Sequence, residues 1–333
     1  MTDRPAERTD AANVRPIRRA ASEASPWKLG GLSPLQLARR VYDELWADEV
    51  LDRAAALSYY FLFALFPALL FLTALLGLVS EPQLMDQLVS QANQVLPEDA
   101  ASLLTRTLGE VRRGGTAGLV SLGALLALWA ASSGMASVMA ALNVAYEVDE
   151  PRPWWKRRLL ALALTVGFSL FTVTALLLLV FGPRIGEAVA GWVGLGGVFT
   201  ALWNVLRWPV LIALVLTAIA LVYYLAPAAR QRWRWVTPGS VVAVALWLAA
   251  SIGLRAYVRN FGDYGATYGS LGGVILLVLW LYVSSVVLLL GAEVNSEIEQ
   301  AAAERGHPDA KGRGERQPGK PGPRPGRLPG GRP

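Results

Sequence analysis

The chain has no cysteine and a single histidine, His307, in 333 residues. Without thiols it can build neither a disulfide framework nor a thiolate metal site. With one imidazole it has no histidine pair and no H-E-x-x-H helix. It also lacks a P-loop and a G-x-S-x-G elbow. Gly194-Leu195-Gly196 is a Gly-x-Gly without a strand–turn–helix setting and carries no nucleotide reading. Hydrolysis needs a positioned base, an activated nucleophile or a metal. None is evident, so no enzyme activity and no cofactor are expected.

Charge is the other scarcity. Only 17% of residues are charged, against about 25% in soluble domains. The deficit falls in blocks. Ala54–Val79 and Ala117–Ala141 contain no Asp, Glu, Lys, Arg or His, and neither does Tyr264–Ala292. About 20 apolar residues cross a bilayer as a helix, so each run is long enough to span. Six such runs are expected, at about 54-79, 117-141, 159-182, 208-229, 235-258 and 266-292. The predicted fold is an all-α integral membrane bundle of six transmembrane helices with short loops. Residues 54-300 form its membrane domain.

The remaining segments are polar. Residues 1-33 lack an apolar core near the start and are expected to be a disordered tail. Residues 34-53 read as an amphipathic juxtamembrane helix, with Ser33 as N-cap and Pro34 in the first turn. Leu37, Val41, Leu45 and Trp46 would share one side. Glu81–Gly115 reads as an outer amphipathic helical segment and Pro183–Ala201 as a Gly-rich loop. Glu293–Glu304 reads as a helix continuing into water. Residues 301-333 are predicted to be a disordered basic Gly/Pro-rich tail.

Orientation follows from the bases. Of 31 Lys and Arg, 24 lie in the two terminal regions and in the loops 142–158 and 226–236. Basic residues accumulate on the cytoplasmic side. Both termini are therefore expected in the cytoplasm. The same distribution accounts for the net charge of +6 without nucleic acid as a partner. Membrane lipids are the expected partners.

Few residues could carry chemistry. Arg255 and Arg259 stand four apart on one helix face, and Asp263 follows. They form either a polar vestibule for an anionic group or charges snorkelling from helix ends. Tyr59, Tyr60, Tyr264 and Tyr268 would line a polar cavity or sit in an interface belt. Pro67 is a packing kink or a hinge. Glu293 and Asn295, at the opposite end of the last span from Asp263, would meet Arg53 or stand solvated.

Several stretches are shared with a known group. Ala54-Ala55-Ala56-Leu57-Ser58-Tyr59-Tyr60 leads to Leu65-Phe66-Pro67. Leu142-Asn143 precedes Arg152-Pro153-Trp154-Trp155-Lys156-Arg157-Arg158. Leu225-Ala226-Pro227 and Pro238-Gly239 follow. The end carries Tyr264–Gly273, then Leu279-Trp280-Leu281-Tyr282 and Leu290-Gly291-Ala292-Glu293-Val294-Asn295. In this order, over roughly residues 35–300, the chain resembles the YihY/BrkB family. The resemblance implies a six-span protein of the bacterial cytoplasmic membrane. Its old label, ribonuclease BN, asks for a metal-binding His/Asp cluster that the sequence lacks. Two functions follow as expectations: a transporter or lipid/envelope-molecule translocator without an ATPase motif, taking an amphiphilic or anionic substrate, or a membrane scaffold for envelope assembly.

Overall fold

The computed structural model describes residues 25–77, 117–193, 196–261, 271–312 and 314–316. Among them, a 3-10 turn, Pro26–Gly31, precedes seven helices. These are α1 (Pro34–Ala47), α2 (Val50–Gly77), α3 (Ala117–Ala145) and α4 (Trp154–Val193). They continue with α5 (Gly196–Leu225), α6 (Trp233–Phe261) and α7 (Leu271–Glu304). Five of these helices are long and apolar enough to cross a membrane. The protein is an all-α membrane bundle.

The long helices form a ring in chain order. Each packs on the next, from α2 to α7, and α7 closes the ring against α2 while also touching α3. Residues 25–53 and 293–316 lie together at one end, called the terminal end below.

Local chemistry explains α1. Ser33 Oγ accepts from the Gln36 amide at 3.2 Å, and Gln36 Oε1 accepts from the Ser33 amide at 2.9 Å. This capping box, with Pro34 at the first position, starts the helix where the sequence places it. The helix stops earlier than the sequence suggests. Glu49 takes a positive φ of 51° and separates α1 from α2. Arg53 Nε donates to the Asp48 carbonyl at 2.8 Å and satisfies one orphan acceptor there. No Gly or Pro marks this break. It exists because Leu37 and Val41 must turn against α7 while α2 continues along the bundle.

Two expectations are corrected. The segment 183–201 is helical wherever it is described: α4 runs through Pro183 to Val193, and α5 begins at Gly196. Trp203 Nε1 on α5 donates to the Gly182 carbonyl at 2.6 Å, so a neighbouring helix supports the proline turn. The last helix is the second case. Its 34 residues extend about 51 Å, well beyond the roughly 30 Å hydrocarbon core. The extension past Ala292 is buried rather than solvated. Val294, Ile298, Ala301 and Ala302 pack with Leu32, Leu37, Val41 and Trp235 in a core of their own.

The chain after Glu304 turns back. Arg305 Nη1 donates to the Gly30 carbonyl at 2.8 Å, and Asp309 pairs with Arg232 and Arg234. Residues 305–316, where described, are thus packed against the extension, contrary to the expected free tail.

Candidate functional site at the terminal end

Asn295 is 1% exposed and uses its whole amide. Oδ1 accepts from the Gly239 amide at 2.6 Å. Nδ2 donates to the Val236 carbonyl at 3.1 Å and to the Tyr146 oxygen at 3.3 Å. One side chain on α7 therefore fixes the first turns of α6 and the end of α3. Beside it α6 and α7 touch backbone to backbone. A Cβ on Gly239 would lie 2.0 Å from the Gly291 carbonyl oxygen. Only glycine permits that approach. The Tyr223 hydroxyl donates to the Leu288 carbonyl at 2.6 Å and brings in α5.

A second set of bonds runs around this node. Asn143 Oδ1 accepts from the Ala228 amide at 2.7 Å, and its Nδ2 donates to Glu150 at 3.0 Å. Glu150 holds Arg152 at 2.6 Å, and Arg152 donates to the Ala226 carbonyl at 2.9 Å. Burial alone would raise the Glu150 carboxyl. The bonds from Arg152 and Asn143 outweigh it and hold the group below its ordinary value.

Two buried carboxylates differ in their surroundings. Glu299 pairs with Arg316 at 3.3 Å, both 1% exposed, and Arg316 also donates to the Ser296 hydroxyl and carbonyl at 2.6 and 2.7 Å. Glu293 is 2% exposed, and its Oε1 has no hydrogen-bond partner among the described residues. The expected contact with Arg53 is not made, because Arg53 is turned to the Asp48 carbonyl. The carboxylates of Asp48, Glu44, Glu297 and Glu147 bear on Glu293 instead. Among the described residues no group of three His, Asp or Glu could hold a metal ion.

The other sequence candidates lie elsewhere. Tyr59 and Tyr60 are 58% and 48% exposed on α2, with Tyr59 against Phe63 at 4.6 Å. Pro67 sits inside the uninterrupted α2. Arg255 is exposed on α6, away from the terminal end. Asp263, Tyr264, Tyr268 and the Arg259 side chain lie outside the described residues. Sequence reasoning picked out Glu293 and Asn295 but missed Tyr146, Glu150, Tyr223, Glu299 and Arg316 as site residues. Arg316 had no signal, since it stands in a Gly/Pro/basic stretch.

The node gathers Asn143, Arg152, Ala226, Gly239, Gly291, Glu293 and Asn295 from four separate stretches of chain. The family model for virulence factor BrkB matches residues 41–315, which contain every one of them. The chain belongs to the BrkB family. Among BrkB relatives, the ribonuclease-like protein YfkH of Bacillus subtilis is 34% identical over 262 residues, 79% of this chain and 94% of that protein. A UPF0761 membrane protein of Alkalilimnicola ehrlichii is 29% identical over 293 residues, 84% of this chain but 61% of its own length. One from Tolumonas auensis is 36% identical over 106 residues, 32% of this chain and 34% of its own. The chain thus spans less than two thirds of these UPF0761 relatives. No solved structure matches.

Proposed function

We propose that this BrkB-family protein translocates lipids or other envelope amphiphiles across a bacterial cytoplasmic membrane, without ATP hydrolysis and without enzymatic chemistry. In this reading six spans cross the membrane and the terminal end faces the cytoplasm. One observation carries it: α5 and α6 bury their side chains toward the terminal end and expose apolar faces away from it. On α5 every buried residue from Phe199 on lies at or after Ala218; on α6 every one lies at or before Val244, as far as residue 258. The halves beyond expose apolar side chains, among them Leu206, Ile212, Leu248 and Ile252, and the start of α7 exposes Ile275. Apolar faces that no described helix covers offer lipid tails a way along them.

The interfacial residues fit this orientation. Arg158 lies 4.0 Å over the Trp129 ring and donates to Ser133 at 3.2 Å, while Trp154 is 72% exposed nearby. Aromatic and basic groups together mark a headgroup layer. The test is lipid exchange between leaflets in vesicles, read with a quenchable fluorescent lipid. The native protein should accelerate exchange. A bulky thiol label on Ile252→Cys should slow it several-fold, a reagent made specific by the absence of native cysteine. Exchange no faster than in empty vesicles would refute the proposal.

A further inference from the structure

Glu293 is the first charged residue after the apolar run of α7, and among the described residues it is the one buried carboxylate at the node with no base paired to it. Glu299 has Arg316, and Glu297 has Arg40 at 3.5 Å. Glu293 is faced from α1 by Glu44, from the turn after α1 by Asp48, from the turn after α3 by Glu147, and from its own helix by Glu297. The Tyr146 hydroxyl lies close enough to feel its charge. From α2, Arg53 points to the Asp48 carbonyl. The Glu293 Oε1 is sealed from solvent with no hydrogen-bond partner among the described residues.

We propose that Glu293 is a proton-binding site, its carboxyl carrying a proton while α1 and the turn after α3 stay packed on α7 and releasing it when they separate. Ionising a carboxyl that is 2% exposed and has one oxygen sealed and unpartnered costs more than keeping it neutral, and the acidic residues around it add to that cost. A proton is the ligand that fits a single sealed carboxyl oxygen, and no group of three or more His, Asp or Glu that could hold a metal ion occurs among the described residues. Binding and packing are then reciprocal: acid favours the sealed terminal end, and alkali favours its opening. The site stands on the burial of Glu293 and its unpartnered Oε1. Its use as the coupling ion rests on the translocation reading above.

Infrared difference spectroscopy on the full chain in lipid nanodiscs tests this. The native protein should show a protonated-carboxyl C=O band at neutral pH that bleaches as pH rises. Glu293→Gln should lack it. A native protein without the band, or a Glu293→Gln protein that keeps it, overturns the proposal. Should Glu293→Gln fail to fold, Asp48→Asn replaces it. Removing that neighbouring charge should move the bleaching midpoint toward acid by several tenths of a pH unit or more; an unmoved midpoint overturns the proposal. Lipid exchange measured with and without a proton gradient separates the two readings. No exchange in the native protein counts against translocation alone, because the band is read independently. Exchange that responds equally to the gradient in native and Glu293→Gln protein overturns the coupling role.

Discussion

Asn295 illustrates what a single amide does when three pieces of chain meet around it. Its replacement by Ala would leave the Gly239 amide and the Tyr146 hydroxyl without that partner, inside a node where neither reaches water. Stranding buried polar groups costs about 1–3 kcal/mol each. Asn295→Ala should therefore lower stability by about 2–4 kcal/mol, checked by thermal unfolding in detergent. Glu150 contributes through charge instead. Its carboxyl sits below the ordinary value when folded, so its contribution is fully present above the unfolded carboxylate pKa of about 4.3. That contribution is lost as pH falls through the folded value. Glu150→Gln should flatten the acid limb of the stability profile and leave its alkaline limb unchanged, in a melting series across pH.

Among the elements, α6 and α7 are set by how closely they cross. Gly239 and Gly291 meet with no room for a methyl group, and at Gly239 the nearest obstruction is the Gly291 backbone rather than a side chain that could swing away. Gly239→Ala should force the helices apart, break the Asn295 bond and sharply reduce the yield of folded protein. Gly253, on the same helix, has nothing within 4 Å of a built Cβ. Gly253→Ala should be neutral or stabilising by up to about 1 kcal/mol, through helix propensity alone. Size-exclusion profiles of the two variants compare these outcomes. The contrast also shows which elements the sequence disclosed. Charge-free runs announced the long helices, because hydrocarbon requires them whatever their neighbours. The stop at Glu49 and the passage through Pro183 were hidden, because packing decides them: Leu37 and Val41 turning onto α7, and Trp203 reaching Gly182.

For the whole molecule, the same distinction separates the bundle from its terminal end. Amphipathic spacing in α1 was visible, but its partner was not, since nothing local says that Glu293–Glu304 stays covered. Arg316 seated on Glu299 is still less visible: two charges 17 positions apart reveal no contact until the chain folds back. The consequence is a bundle whose ends are unlike. One is closed by residues 25–53, the 226–236 loop and residues 305–316 where described; toward the other the described helices expose apolar side chains. Orientation then decides which compartment meets each end, and the positive-inside bias predicts the closed end in the cytoplasm. Single cysteines at the exposed Trp27 and Trp154 should resist a membrane-impermeant maleimide in intact cells and react after lysis. One at the exposed Arg255 should react in both. Labelling of Trp27→Cys in intact cells would turn the molecule over. The closed end would then lie outside, Glu293 would take its proton from the opposite compartment, and the apolar faces would receive their amphiphile from the cytoplasmic leaflet.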